Sequence, residues 1–316
     1  MGKKHILLVD GNSITHANHN GAVLTVGGMQ VQAIFGVLKS LRALLQNTPG
    51  EKSLLVLWDG KAQFRLDLYP AYKGNRKPMD AKQEASRAAF KKQTPVLEAA
   101  LSMLGIKQLR SPLLEADDLA GFIVPRLIKA GHRVTMVSGD KDWIQEVCED
   151  CSWFDPIVGR RVDVDNFLDF TGYETPTAFV QGKALEGDNS DNVDGIAGMG
   201  AKGASLFLAK WKDVNNFFAA VDGNTHTPAV RKSKTSTSLH PEQVLASVEG
   251  RAIFNRNMKL MNWKQSRQPG PGELIHMPCE VQVDRFEHLC NRLAFASITR
   301  EFDSFLRTFN ITKEIA

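Results

Sequence analysis

The stretch 187–204, GDNSDNVDGIAGMGAKGA, holds two kinds of chemistry side by side. Asp188 and Asp191 stand among Asn189, Ser190 and Asn192, side chains that favour local turns over helix. Gly195, Gly198, Gly200 and Gly203 then lead past Lys202 into an apolar run. A glycine turn that opens into a helix presents unpaired N–H groups and the positive end of the helix dipole, which suits a phosphate. The carboxylates suit a hard cation. A flexible surface loop has the same composition, so on these residues alone both readings stand.

More acids follow apolar runs that read as buried strands. Residues 5–9 end in Asp10-Gly11-Asn12, residues 54–58 in Asp59-Gly60, and residues 134–138 in Gly139-Asp140-Lys141-Asp142. Helical spacing over 31–45 stops at Asn47-Thr48-Pro49-Gly50. Strand and helix in alternation predict an α/β fold with a mostly parallel central sheet flanked by helices. Sites on such sheets form outside the carboxyl ends of the strands. One Asp there is an ordinary turn former, but three in the same topological position point to one site. Glu115, Asp117 and Asp118 open another helical pattern, in which Pro125 predicts a kink. Glu115 and Asp118 share a helical face. Acids in a first turn also complement the helix dipole, and these join the site only if the adjoining loop is long.

Together Asp10, Asp59, Glu115, Asp117, Asp118, Asp140, Asp142, Asp188 and Asp191 would repel one another by several kcal/mol in one pocket. Their convergence therefore requires bound divalent cations. Oxygen-only ligands favour Mg²⁺ or Mn²⁺ over zinc. Two such ions about 4 Å apart activate water and clamp the attacking and leaving oxygens of a phosphodiester.

Composition adds bounds. At 316 residues and 43% hydrophobic content the chain can bury a substantial core, and no apolar run is long enough to span a bilayer. The opening MGKKHILLVDGN reaches Asp10 too early for a signal peptide and lacks a myristoylation pattern. A formal charge of +4 suggests a nucleic-acid partner without establishing one. Cys148 and Cys151 have half-zinc-site spacing, but Cys279 and Cys290 do not complete it. Scarce cysteines without a signal peptide fit a reducing cytoplasm.

Asp10-Gly-Asn, Asp59-Gly, YKGNR at 72–76, EADD at 115–118, SGDKD at 138–142 and GDNSDN at 187–192 occur in this order, followed by the glycine-rich turn. In this combination the chain resembles a 5′ nuclease of the flap endonuclease superfamily. With no polymerase-sized extension, it is most similar to the free-standing bacteriophage and bacterial 5′→3′ exonucleases. The resemblance implies one metal group at Asp10, Asp59, Glu115 and Asp117, with Asp118 beside them, and a second at Asp140, Asp142, Asp188 and Asp191. It implies that 195–203 is a helix–hairpin–helix turn in which Gly195, Gly198, Gly200 and Lys202 grip duplex phosphates, with room for a K⁺ on backbone carbonyls. Val193-Asp194-Gly195 stands where the family often has Ile-Pro-Gly, and the added acid should weaken that grip slightly.

From Tyr69 to Gln93 the composition turns basic, with Lys73, Arg76, Lys77, Lys82, Arg87, Lys91 and Lys92. A solvated helix face is one reading. The resemblance implies a helical arch at about 70–95, passing single-stranded 5′ DNA, with Lys73 and Arg76 directed at the scissile phosphate. Fixed cations there stabilise charge developing in the transition state. Tyr72 is either a base-stacking platform or a core residue.

The implied layout is a nuclease domain over 1–183, a DNA-binding subdomain over 184–265 and C-terminal helices over 266–316 that pack back on the first. The expected activity is two-metal hydrolysis of DNA at or near 5′ ends, as 5′→3′ exonuclease and flap endonuclease in replication primer removal or DNA processing. Expected partners are 5′-flap DNA, RNA primer–DNA hybrids and a DNA polymerase, in the cytoplasm and without a membrane. A non-catalytic DNA-binding module with a degenerate metal site is the alternative. It would leave clustered carboxylates without a use. A different metal-dependent hydrolase on a similar sheet would need neither the basic insertion nor the glycine turn.

Overall fold

The computed structural model describes residues 4–75, 80–231 and 238–312. In chain order the strands are β1 (His5–Asp10), β2 (Thr25–Val26), β3 (Met29–Gln30), β4 (Lys52–Trp58), β5 (Lys107–Arg110), β6 (Arg133–Val137), β7 (Cys151–Asp155), β8 (Arg160–Val162), β9 (Gly187–Asp188), β10 (Val193–Asp194) and β11 (Ile275–His276). Seven of them form the central sheet in the order β11-β5-β4-β1-β6-β7-β8. The inner five run parallel, and β11 and β8 add antiparallel edges.

The chain steps from β1 through β4 to β5 on one side and then returns to lay β6 and β7 on the other. Crevices open where strand order reverses in this way, at the carboxyl ends of β1, β4 and β6. Alternate residues of each strand face opposite ways. Leu7, Val9, Val56 and Trp58 bury against the Gln32–Asn47 helix and the C-terminal Phe286, Phe302 and Phe305. Leu8, Leu57, Val134 and Met136 bury on the other face, in the core shared with the Ala116–Lys129 helix and the segment around 176–218. The C-terminal part forms three helices (Val283–Arg292, Ala296–Arg300 and Phe302–Thr308), whose Phe286, Phe302 and Phe305 are buried in the core on the first of these faces.

One expectation about the Glu115 region changes. Strand β5, the short and polar KQLR, carries no clear strand signal, yet it feeds the Ala116–Lys129 helix after only residues 111–114. No long connection is needed, because β5 lies beside β4 and delivers the helix start to the same end of the sheet. The helix also continues past Pro125 as one element.

The basic segment forms the Ala81–Met103 helix, with Asp80 as N-cap in a capping box with Gln83. Its first turns stand exposed, while Leu97, Ala100 and Leu101 are buried. Midway, Phe90 stacks on His16 at 3.9 Å, and Ser86 and Gln93 hydrogen-bond His19 at 3.0 and 3.1 Å. The projecting half is thereby rooted on the Gly11–His19 helix. No helix among the described residues is long and apolar enough to cross a membrane.

Gly60 lets the end of β4 lie directly on the β5 connection. Its N–H donates to the Leu114 carbonyl at 2.8 Å, and a Cβ there would stand 1.8 Å from the Ser111 carbonyl oxygen. Gly60→Ala should therefore cost on the order of 1–3 kcal/mol, as overpacking does. Urea unfolding checks this, and an unchanged midpoint would mean that the 111–114 connection yields freely.

Candidate active site

Asp10 ends β1 and caps the Gly11–His19 helix, its Oδ1 accepting from the Ser13 N–H at 2.9 Å. Its Oδ2 accepts from the Ser138 hydroxyl at 2.7 Å, which ties the end of β1 to the end of β6. Asp59 follows β4. Its N–H donates to Asn12 Oδ1 at 3.0 Å, and its Oδ1 accepts from the Ala116 N–H at 2.8 Å, joining it to the helix that Glu115 caps. One turn in, Asp117 Oδ1 accepts from the buried Trp143 indole N–H at 2.9 Å. Asp140 caps the short 3-10 helix Lys141–Glu146, accepting from the Asp142 N–H at 2.8 Å. Asp188 and Asp191 arrive on the β9–β10 hairpin, where Asp188 accepts from the Ser190 N–H and hydroxyl at 2.8 and 2.6 Å.

A cavity of about 30 Å³, room for a water or a bare ion, is lined by Asp117, Asp142, Asp188 and Asp191 with Tyr72 and Arg65. It joins an acid of the first expected group to three of the second. Around it Asp10 is buried, while Asp59 and Asp140 reach solvent, so the cluster floors an open cleft.

The charges feel one another. Burial pushes the Asp10 carboxyl up to about 7, helped by Asp59. Burial, then Asp140, Asp10 and Asp59, raise Asp117 well above the carboxylate range. Asp140 goes up to about 6 through the protein packed around it and through Asp142. Asp59 is raised by the same packing and by Glu115. Asp188 moves the other way: enclosure opposes its charge, but the Ser190 hydrogen bonds and Lys183 outweigh it.

Divalent cations are not alone in making this cluster tolerable, because the chain brings its own. Lys73 Nζ lies 2.9 Å from Glu115 Oε1 and 3.9 Å from Asp191 Oδ2. Lys183 pairs with Asp142 and lies 3.6 Å from Asp188 Oδ2. Arg65 holds Glu115 Oε2 at 3.0 Å. Lys183 and Arg65 escape sequence reading, since each is a single cation in a segment without a motif. The one hint for Lys183 is its place one helical turn ahead of the GDNSDN run.

Asp118, expected beside the first metal group, stands apart from the acids of the cleft. It is buried and accepts both arms of Arg65 at 2.8 Å, the Glu115 N–H at 3.0 Å and the Ser266 hydroxyl at 2.6 Å. Both oxygens are committed to holding the fold. Tyr72 is likewise a core residue, not a stacking platform: it is buried and donates its hydroxyl to Asp191 Oδ2 at 2.9 Å. Lys73 does reach the acids, from a turn at φ +57° whose N–H donates to the Asp191 carbonyl at 2.7 Å. Arg76 lies outside the described residues, as do Lys77, Lys232 and Lys234.

The glycine run links the Pro176–Glu186 and Ala201–Trp211 helices. Gly195 lies so close to the Glu186 carbonyl that a Cβ would stand 2.2 Å from it, and Gly198 turns at φ +79°. Gly200 caps the second helix with no side-chain hydrogen bond, and Lys202 in the first turn of that helix is exposed.

Among the described residues no three His, Cys, Asp or Glu side chains form a ready-made metal cage. The donors nevertheless fit hard divalent ions: they are carboxylates only, on one cleft, and several are driven toward protonation, first by burial and then by their neighbours' charge. Acids gathered at the switch point of a parallel sheet, beside a glycine hairpin, are the arrangement of a phosphodiester-cleaving enzyme.

Relatives agree with that class. The 5′-3′ exonuclease N-terminal, resolvase-like domain matches residues 5–172, and the chain belongs to this 5′–3′ exonuclease family. It is 32% identical to the thermostable DNA polymerase I of Thermus filiformis over 221 residues, 69% of this chain and 25% of the polymerase. It is 30% identical to DNA polymerase I of Mycobacterium tuberculosis over 228 residues, 70% of this chain and 24% of that one. The chain thus matches about a quarter of the length of these relatives. In fold it is similar to the T5 5′-exonuclease with divalent zinc ions bound, with a TM-score of 0.67 and 19% identity over 96% of this chain and 99% of that one. It is also similar to human GEN1 in complex with Holliday junction DNA, with a TM-score of 0.59 and 12% identity over 98% and 72%.

The raised carboxyls set a pH dependence. A folded acid that keeps its proton to higher pH than the unfolded chain adds stability at low pH and loses it as pH rises. For Asp10 that loss runs from its ordinary 3.8 up through about 7. Divalent cations should offset the exposed repulsion, so Mg²⁺ should raise the melting temperature more at about pH 8 than at about pH 6. Glu146, pushed up to about 7 by burial, follows the same trend with or without metal, so the Mg²⁺-minus-EDTA difference isolates the cluster. An equal or smaller gain at the higher pH contradicts this account.

Proposed function

We propose that the chain is a metal-dependent, structure-specific 5′ nuclease that hydrolyses phosphodiester bonds at or near DNA 5′ ends, as 5′→3′ exonuclease and flap endonuclease. The observation that carries this reading is the convergence of Asp10, Asp59, Glu115, Asp117, Asp140, Asp142, Asp188 and Asp191 on one cleft with Lys73. Asp10, Asp59, Glu115 and Asp117 would hold one Mg²⁺, and Asp140, Asp142, Asp188 and Asp191 a second, with Mn²⁺ able to substitute. Bound there, the ions supply charge neutralisation at the phosphate and activation of water.

The remaining work falls to the chain. Ser13, Ser138, Trp143 and the Ala116 N–H fix the orientation of the acids. Lys73, and Arg76 on the same motif, would meet the scissile phosphate as charge develops on it. The hairpin at Gly195, Gly198, Gly200 and Lys202 would hold duplex phosphates, with a K⁺ among its carbonyls. The projecting half of the Ala81–Met103 helix carries Lys82, Arg87, Lys91 and Lys92 and would form one side of an arch for the single-stranded 5′ end, in a segment of about 70–95. This divides the chain into a nuclease domain (1–183), a duplex-holding subdomain (184–265) and a C-terminal return (266–316). Because the polymerase relatives carry the nuclease segment on one chain, primer removal beside a DNA polymerase, RNA–DNA hybrids included, is the proposed setting.

Digestion of 5′-labelled flap, nicked and single-stranded DNA with Mg²⁺, and with EDTA as control, tests this reading. Asp188→Ala combined with Asp191→Ala should lower cleavage by orders of magnitude while DNA binding in Ca²⁺ stays intact or tightens. Wild-type turnover in that variant would sink the two-metal assignment, and binding without any wild-type cleavage would favour the non-catalytic module.

Lys73→Ala should lower the single-turnover rate by on the order of 10²-fold, as loss of one oxyanion donor does. Affinity should change far less, since many cations share the phosphate contacts. A variant that binds poorly yet cleaves at the normal saturated rate would show that Lys73 only holds DNA.

A further inference from the structure

Arg65 carries more connections than a structural ion pair needs. It sits on the short Gln63–Leu68 helix, buried at 3% exposure. Its guanidinium donates from Nη1 and Nη2 to the two Asp118 oxygens at 2.8 Å each, from Nη1 to Glu115 Oε2 at 3.0 Å, and from Nε to the Leu260 carbonyl at 3.2 Å. One planar fork therefore spans three elements. The bidentate grip on Asp118 anchors it, and Ser266 holds Asp118 from the far side. The other arms reach an acid of the cleft and the last turn of the Val248–Met261 helix.

That helix is fastened to the glycine hairpin. One turn before Leu260, the fully buried Asn257 donates its amide to the carbonyls of Asp194 and Ala184 at 2.8 and 2.9 Å. Arg256 donates to the same Asp194 carbonyl at 3.0 Å. Asp194 directly precedes Gly195. The path from hairpin to cleft is thus Asp194 carbonyl, Asn257, one helical turn, Leu260 carbonyl, Arg65 and Glu115. Glu115 divides its two oxygens between Arg65 and Lys73. The Leu260 carbonyl thus bears on the same guanidinium that holds one Glu115 oxygen, while Lys73 holds the other.

We propose that Arg65 is a positioning residue that couples duplex engagement at the hairpin to the placement of Glu115 in the cleft. DNA held outside the active site then accelerates cleavage inside it. This rests on the nuclease reading above and adds to it a route between its two halves. Asp118 is the fixed point of the route, and Leu260 and Glu115 are its moving ends.

The test compares two substrates in single turnover at saturating enzyme with Mg²⁺: a 5′ flap on a duplex, and the same flap strand alone, which cannot engage the hairpin. Wild type should cleave the duplex-bearing flap faster. Arg65→Lys keeps the charge but loses the fork, and should lose on the order of tenfold of that duplex advantage, within the usual range of coupling between sites. Because Arg65 also holds Glu115, its rate on the single strand should fall too, but about tenfold less than its rate on the duplex-bearing flap, and its duplex affinity in Ca²⁺ should stay within about threefold. Asn257→Ala cuts the same path at the other end, and the double variant should lose little more than either single one. Thermal melts verify folding, and Asn257→Ala carries the test alone if Arg65→Lys does not fold. Equal losses on both substrates would mean that Arg65 only places Glu115, and the coupling is overturned. An unchanged duplex advantage, or additive losses in the double variant, overturns it as well. If wild type cleaves neither substrate, the nuclease reading itself fails and this proposal falls with it.

Discussion

Gathering carboxylates in one cleft, where enclosure by the protein and then their neighbours' charge both disfavour ionisation, is the constraint around which this chain is built. Eight acids face one cleft, and at low effective dielectric each pair opposes folding. The response is distributed. Lys73, Lys183 and Arg65 lend positive charge from three different elements. Backbone N–H groups and hydroxyls satisfy individual oxygens, as Ser13 and Ser138 do for Asp10. What remains uncompensated appears as carboxyls held above their ordinary range. That residual cost is what a divalent ion would relieve, and it makes cation binding and folding two parts of one equilibrium.

The sheet makes such a concentration of charge reachable. Strands β1, β4 and β6 are side by side and parallel, so the residues that follow them emerge at one edge. Leu7, Leu8, Val9, Val56, Leu57 and Met136 supply the buried area that holds these strands in register on both faces. The acids ride on backbone fixed mainly by that burial, while Asp10, Asp59, Asp117 and Asp140 each also tie neighbouring elements together. Asp118 is an acid spent wholly on structure: its pairing with Arg65 is buried and complete, and removing one partner would leave the other charge stranded.

The glycine hairpin is built by the same logic of close approach. Gly195 meets the Glu186 carbonyl, and Asn257 closes the turn from the adjacent helix. These contacts place an uncapped helix start, with Lys202 beside it, on the surface. The glycine hairpin and the acid-bearing β9–β10 loop are continuous in the chain.

Much of this was legible in the residues. Apolar runs ending in Asp10, Asp59 and Asp140 identified the parallel sheet and the edge where a site would form, because strand burial and strand-end position are local patterns. The glycine spacing identified a turn opening into a helix for the same reason. Strand β5 stayed hidden, since a four-residue polar strand is defined by its neighbour β4 and not by its own composition. With it was hidden the reason that Glu115 and Asp117 arrive at the cleft. The roles of Asp118 and Tyr72 were equally out of reach, because an acid or a tyrosine looks the same in sequence whether its oxygen meets solvent, Arg65 or Asp191. Arg65, and the pairing of Lys183 with Asp142, were invisible in sequence, since these partners meet across dozens of residues. The sequence by itself determined which groups can carry charge and where strands and turns must fall. Only the tertiary structure decided which charges face one another, because Coulomb energy depends on distances that long-range packing sets.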